Sequence, residues 1–139
     1  NPTMRFFLRS LFHSLWSRSL MLITFTGRNS GRSFTTPVRY IRIGATVRCF
    51  TSAENQWWRN LRSGADVVLR LEGVDKPYHA IAIVDDPEMI RGALRDYLGL
   101  FPQDAAYHDI RLKGDKSLVS EDLERAARNA VVIEAKPIN

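Results

Sequence analysis

Five short segments with a hydrophobic period near two, joined by connections that carry turn residues or one short helical stretch, constrain this chain most. Leu20–Thr26, Phe34–Ile43, Thr46–Thr51, Asp66–Glu72 and Tyr78–Val84 read as strands. Gly44–Ala45 joins the second and third, with glycine first in the loop as a type II′ hairpin turn requires. Gly73–Pro77 reads as the turn between the fourth and fifth, and Ala130–Glu134 as a closing sixth strand. A parallel sheet would need helical crossovers between these strands, so the pattern predicts antiparallel pairing. Closing such a sheet also removes its exposed edges. The expected fold class is α+β: a six-stranded antiparallel barrel with flanking helices.

The intervening residues supply the helices. Ser52–Arg62 reads as a short helix with Ser52 as N-cap, Glu54 in its first turn and Gly64 as its stop. Pro87–Leu98 follows with Asp86 as N-cap and Gly99 beyond the end, then Glu121–Arg128, with Phe101–Lys116 irregular between them. Before the first strand, Arg5–Arg18 forms an amphipathic pattern. Phe7, Leu8, Leu11, Phe12, Leu15 and Trp16 fall on about half of a helical wheel, with arginines flanking. A helix of that kind packs on its own domain or lies on an anionic membrane surface, and both readings stand at this point.

At 139 residues, with 45% hydrophobic and 25% charged, residues 1–139 match one ordinary globular domain. No apolar run approaches the roughly 20 residues of a spanning helix. The single cysteine, Cys49, cannot form an internal disulfide, so the expected location is cytoplasmic, with peripheral membrane contact through residues 5–18 left open.

The net charge of +5 conceals an asymmetry. Residues 1–62 hold ten arginines and one acid, Glu54, a balance of +9; residues 63–139 hold ten basic and fourteen acidic groups, a balance of −4. Such a split points to an anionic partner for the first half, whether nucleic acid, lipid or a phosphorylated cofactor. The arginines form no continuous stripe and accompany no known reader motif, so nucleic acid is not expected. Three scattered histidines and one cysteine give no metal-site spacing, so no metal is expected. There is no nucleophile elbow, Walker loop or dinucleotide fingerprint. An enzyme of this composition would rely on a bound cofactor.

The most informative stretch is Thr26-Gly27-Arg28-Asn29-Ser30-Gly31-Arg32, between two strands. Its glycines allow a tight turn and close approach to a ligand; Asn29, Ser30 and backbone N–H groups can donate to phosphate oxygens, and Arg28 and Arg32 add charge-assisted bonds. A solvated hairpin loop would have the same composition. The second stretch is Trp57-Trp58-Arg59-Asn60-Leu61, whose tryptophans offer one ring to a core and one to a planar ligand.

A strand ending in T-G-R-x-S-G-R, then T-x-P-V at Thr35–Val38, two hairpin strands and a W-W-x-N-L helix resembles the deazaflavin-dependent nitroreductase and quinone reductase family, split β-barrel proteins related to flavin-binding oxidoreductases. The likeness runs from Arg5 to Ile138. It implies a reductase that uses reduced coenzyme F-420, an 8-hydroxy-5-deazaflavin with a phosphate and a polyglutamate tail, and passes hydride to a quinone, nitroaromatic or similar small-molecule acceptor. It implies a cofactor site at Arg28, Asn29, Ser30, Gly31, Arg32, Pro37, Ser52 and Trp57, and Tyr107 beside the acceptor as a contact or proton donor. Asn29, Phe34 and Ala53 stand where the family often has basic residues. Fewer cations for the tail leave FMN as the alternative cofactor, and a non-catalytic flavin- or lipid-binding module as the alternative function. Homodimerisation is compatible with the resemblance.

Overall fold

The computed structural model describes residues 20–115 and 117–138. The amphipathic segment 5–18 lies outside the described residues. Six strands, β1 (Leu20–Thr26), β2 (Ser33–Ile43), β3 (Thr46–Ser52), β4 (Ala65–Leu71), β5 (Val74–Ile83) and β6 (Ala130–Pro137), close in the order β1-β2-β3-β6-β5-β4. Every pairing is antiparallel, including the β1–β4 contact that shuts the barrel. The expected six-stranded barrel is therefore the observed one.

Alternation decides which side chains fill it. Ile23, Phe25, Val38, Tyr40, Val47, Leu69, Tyr78 and Ile133 point inward and make one core with Trp58 and Leu61. The unbroken apolar run Ala130–Ile133 is explained by burial on both faces. Val131 and Ile133 enter the barrel; Ala130 and Val132 face α1 (Pro87–Leu100) and α2 (Ser120–Asn129) outside it. Truncating a fully buried side chain such as Leu69 would cost about 2–5 kcal/mol. Cys49 belongs to the inner core, where burial pushes its thiol up to about 12 and leaves it unreactive.

Both hairpins show their turn chemistry. Gly44 alone of the Gly44–Ala45 pair takes positive φ, +62°, as a type II′ turn requires. The β4–β5 turn is tighter than the expected Gly73–Pro77: Glu72 and Gly73 take φ +50° and +81°, a two-residue turn that suits the strand twist. Pro77 therefore lies inside β5 opposite Val68.

The expected helix Ser52–Arg62 shrinks to one 3₁₀ turn, Trp57–Leu61. Ser52 ends β3, and the next residue is still tied to α2, Ala53 N–H donating to Asn129 O at 2.7 Å. Asn55 then bonds back to the strand through Thr51 Oγ1 at 2.8 Å, so the backbone cannot start coiling at Ser52. Ser52 is not a helix N-cap; its Oγ accepts from Glu54 N–H at 3.3 Å. Asp86 does cap α1, through Met89 N–H. That helix runs through Gly99 and stops only before Pro102, which opens a second 3₁₀ turn, Pro102–His108, within the stretch expected to be irregular.

Candidate functional site

Two clefts open at the barrel rim. The larger, about 400 Å³, is walled by Thr36 and Val38 of β2, Phe50–Ser52 of β3, Tyr97 of α1, and Asp104, Tyr107 and His108 of the second 3₁₀ turn, with α2 contributing Arg125 and Asn129. The smaller, about 340 Å³, lies among Phe25, Phe34, Gln56 and Asn60. Glu54, Asn55 and Trp57 line both, so Trp57 stands on their shared wall. Its ring stacks on Phe25 at 5.6 Å, and Phe25 stacks on Phe34 at 5.8 Å. Phe25 belongs to the barrel core, so core packing fixes Trp57 from below. Trp58 turns inward instead, donating its indole N–H to Ala53 O at 3.3 Å. The adjacent tryptophans thus divide between core and cleft, as the residue pair suggested.

The glycine–arginine loop is bonded mainly to itself. Gly31 N–H donates to Gly27 O and Gly27 N–H to Arg32 O, each at 2.8 Å, while Arg32 N–H donates to Ser30 Oγ at 3.2 Å. A Cβ at Gly27 would sit 2.7 Å from the Phe34 ring, and Gly31 takes φ +70°, so space demands the first glycine and backbone conformation the second. Asn60 links this loop to the tryptophan turn. Its Oδ1 accepts from Arg28 N–H and its Nδ2 donates to Trp57 O, both at 2.9 Å. The two motifs singled out in the sequence are therefore held together by one side chain.

The backbone donors of Arg28, Gly31 and Arg32 are thus already engaged. The side chains of Arg28, Asn29, Ser30 and Arg32, all on exposed residues, are what the loop leaves open to solvent. None of Arg28, Asn29, Ser30, Gly31 and Arg32 lines either cleft; they adjoin the smaller one through Asn60 and through Phe34, whose ring centroid lies 5.8 Å from the Arg32 guanidinium. Pro37, opposite Leu22 in the β1–β2 ladder, lines neither. Ser52, Trp57 and Tyr107 meet at the larger cleft, where Tyr107 is 43% exposed.

Among the lining residues that were not anticipated, Arg39, Tyr97, Asp104 and His108 form a cluster. Arg39 Nε lies 2.5 Å from Asp104 Oδ2, and the Tyr97 hydroxyl donates to that same oxygen at 2.5 Å. The Arg39 guanidinium covers the Phe101 ring at 4.5 Å. Tyr97 stacks on Phe50 at 4.7 Å and meets the His108 ring edge-on at 6.0 Å. Burial, reinforced by the bond to Asp104, pushes the Tyr97 phenol far above its ordinary range, so it stays protonated. Burial holds the His108 imidazole below its ordinary value despite Asp104 and Asp109 nearby, which leaves it neutral at neutral pH. One signal for this cluster was available. Arg39 stands in Val38–Ile41, a run buried throughout, and a charge in such a run needs a buried partner.

The larger cleft can hold a flat ring system against Trp57 and Phe50, with hydroxyl and imidazole groups at its edge; the exposed loop beyond Trp57 can hold an anion. A closed antiparallel barrel with helices on one side and such clefts at its rim defines a split-barrel protein. The chain belongs to the F420H(2)-dependent quinone reductase family, whose model matches residues 10–117.

Solved structures share the fold at low sequence identity. A protein of unknown function from Agrobacterium tumefaciens, Atu2129, superposes with a TM-score of 0.59 at 14% identity over 87% of this chain and 49% of that one. This chain therefore spans about half its length. A putative pyridoxamine 5′-phosphate oxidase from Listeria innocua gives 0.54 at 12% identity over 94% and 93%. A structure described as an F420 reductase gives 0.50 at 17% identity over 91% and 93%. No curated protein matches by sequence. Among the described residues, no helix is long and apolar enough to cross a membrane.

Proposed function

We propose that the chain is an oxidoreductase that passes a hydride from reduced coenzyme F-420 to a quinone, nitroaromatic or similar activated acceptor. Family membership supports the cofactor class. The observation that carries the residue assignment is the Asn60 link, which holds an exposed pair of arginines beside the aromatic wall made by Trp57. A cofactor with a flat ring and an anionic tail needs both, at adjacent positions. Arg28 and Arg32 would bind the phosphate and acidic tail, with Ser30 donating through its hydroxyl. Trp57 would stack against the ring, and Ser52 would offer a hydroxyl at the cleft edge. When bound, the reduced deazaflavin supplies a hydride. Tyr107 holds a partly exposed hydroxyl at the larger cleft, where it can bond to an acceptor oxygen and give up a proton. Tyr97, Phe50 and Trp57 shield one side of that space from water.

One observation favours a second cofactor reading. Phe34 stacks on Phe25 and lines the smaller cleft, so it gives an apolar surface where a longer acidic tail would gain from charge. That arrangement suits a single phosphate, as in FMN. Titration with F-420 and, in parallel, with FMN, followed by tryptophan emission, separates the readings. Micromolar or tighter binding of F-420 supports the proposal. Tight binding of FMN alone moves the protein to flavin chemistry, and binding of neither removes the redox reading.

A further inference from the structure

Charge is sorted between the loop and the larger cleft. Arg28 and Arg32 stand exposed on a loop that contains no acidic residue. Inside the cleft the cation is Arg39, and Asp104 answers it at 2.5 Å with both side chains almost wholly buried, 6% and 3% exposed. The Tyr97 hydroxyl closes on the same carboxylate oxygen and carries no charge. Arg125, on an exposed position, donates to Asp109 O at 2.5 Å and reaches Asp122, which Arg111 holds more closely, only at 3.4 Å. Glu54 and Asp109, both exposed, give the mouth an acidic excess. The inner wall is thus neutral overall and the entrance faintly negative.

We propose that Asp104 sets the charge specificity of this cleft: by neutralising Arg39 within the wall, it makes the cavity accept an uncharged, planar, carbonyl-bearing molecule and turn away an anionic one. The inference rests on reading the cleft as the acceptor site of a reductase. Its physical basis is desolvation. An anion entering a buried space must be met by a cation free to answer it, and the charge of Arg39 is already answered by Asp104. An uncharged quinone brings no such penalty, and its ring gains contact with Trp57 and Phe50.

Two naphthoquinones of like ring size test this without any reductant present. Menadione is uncharged, and 1,4-naphthoquinone-2-sulfonate is an anion. Binding of each to the full chain is followed by quenching of tryptophan emission. The wild-type protein is expected to bind menadione about tenfold tighter or more, as a cleft whose buried cation is already answered requires. Asp104→Asn, which keeps an acceptor for Tyr97, removes the carboxylate that answers the Arg39 charge and should shift the affinity ratio toward the sulfonate by about tenfold or more. The double variant Arg39→Gln/Asp104→Asn removes both charges and should return the ratio to the wild-type value, which a merely structural role for Asp104 would not do. Equal wild-type affinities overturn the proposal, as does a folded Asp104→Asn protein with an unmoved ratio. If Asp104→Asn fails to fold, the wild-type ratio and its retention in the double variant decide the matter. A separate F-420 titration keeps the two readings apart. F-420 binding with equal quinone affinities overturns the charge specificity alone. Charge selection without F-420 binding removes the reductase reading and leaves Asp104 as the cleft's charge filter.

Discussion

The hydroxyl of Tyr97, on the last full turn of α1, donates to Oδ2 of Asp104 at 2.5 Å, fastening the helix to the 3₁₀ turn that carries Tyr107 and His108. Arg39 of β2 meets the same oxygen, so barrel, helix and turn converge on one carboxylate. Tyr97→Phe deletes the hydroxyl and keeps the ring stacked on Phe50. It is expected to lower unfolding free energy by about 1.5–3 kcal/mol, the range of a hydrogen bond to a charged group. Chemical denaturation checks this, and a loss below about 0.5 kcal/mol would show that Arg39 alone satisfies Asp104.

Arg28→Ala should weaken F-420 binding by about 1.5–3 kcal/mol through loss of a charge-assisted bond. The side chain is exposed, so the unfolding midpoint should not move. Unchanged affinity in an intact fold would sink the assignment of the loop to the anionic tail. Asn60→Ala supplies the complementary case: it breaks both 2.9 Å bonds that hold loop and tryptophan turn together, and should weaken binding although Asn60 itself need not touch the cofactor. Fluorescence titration of both variants reads the difference.

Tyr107→Phe is expected to reduce turnover of F-420-dependent menadione reduction by about tenfold or more, the lower end of general-acid effects, with cofactor affinity unchanged. Tyr107 and Tyr97 both line the larger cleft, yet their chemistry separates. Tyr97 is buried and held protonated, whereas Tyr107 is 43% exposed, where a ligand in the cleft can reach it. Unaltered turnover in Tyr107→Phe would reduce that residue to packing.

The barrel was legible because its signals are local. Alternation placed the strands, and the turn glycine at Gly44 adopts the conformation its position implied. What the residue pattern mistook was controlled by partners distant in sequence. Ser52 has the chemistry of an N-cap, but the bond from Ala53 to Asn129 keeps its backbone at the strand end. Gly99 has the composition of a helix stop, but α1 continues because Pro102 is the first residue unable to extend it. The site divides in the same way. The loop and the tryptophan pair announced themselves as contiguous motifs. Arg39, Tyr97 and Asp104 come from three elements and meet only in the folded chain, so the one trace in the sequence was an arginine within an otherwise apolar strand segment.

The lowered pKa values of His108 and Asp122 give stability a staged dependence on pH. Burial lowers the His108 imidazole from an ordinary value of 6.5. The Arg111 side chain, then its backbone N–H, lowers the Asp122 carboxyl from 3.8, with bonds of 2.7 Å to Nε and 2.9 Å to N. In both cases the folded-state value lies below the unfolded one. Each group therefore contributes fully above its unfolded value, and the contribution is lost as pH falls through the interval below it. For His108 that loss begins under about pH 6.5, as an imidazole that the fold keeps neutral becomes charged in the unfolded chain. For Asp122 it begins under about pH 3.8, as the unfolded carboxylate takes up protons that Arg111 denies to the folded one. Thermal unfolding followed by near-ultraviolet circular dichroism, from about pH 8 down to about pH 3, should show a plateau and two successive declines. His108→Asn should abolish the upper decline and keep the lower one. Asp122→Asn should lower the whole curve, because Arg111 loses its carboxylate partner, and should flatten the lower decline. A wild-type midpoint that stays level between about pH 7 and about pH 5 would mean that His108 takes up a proton inside the fold as readily as in the unfolded chain.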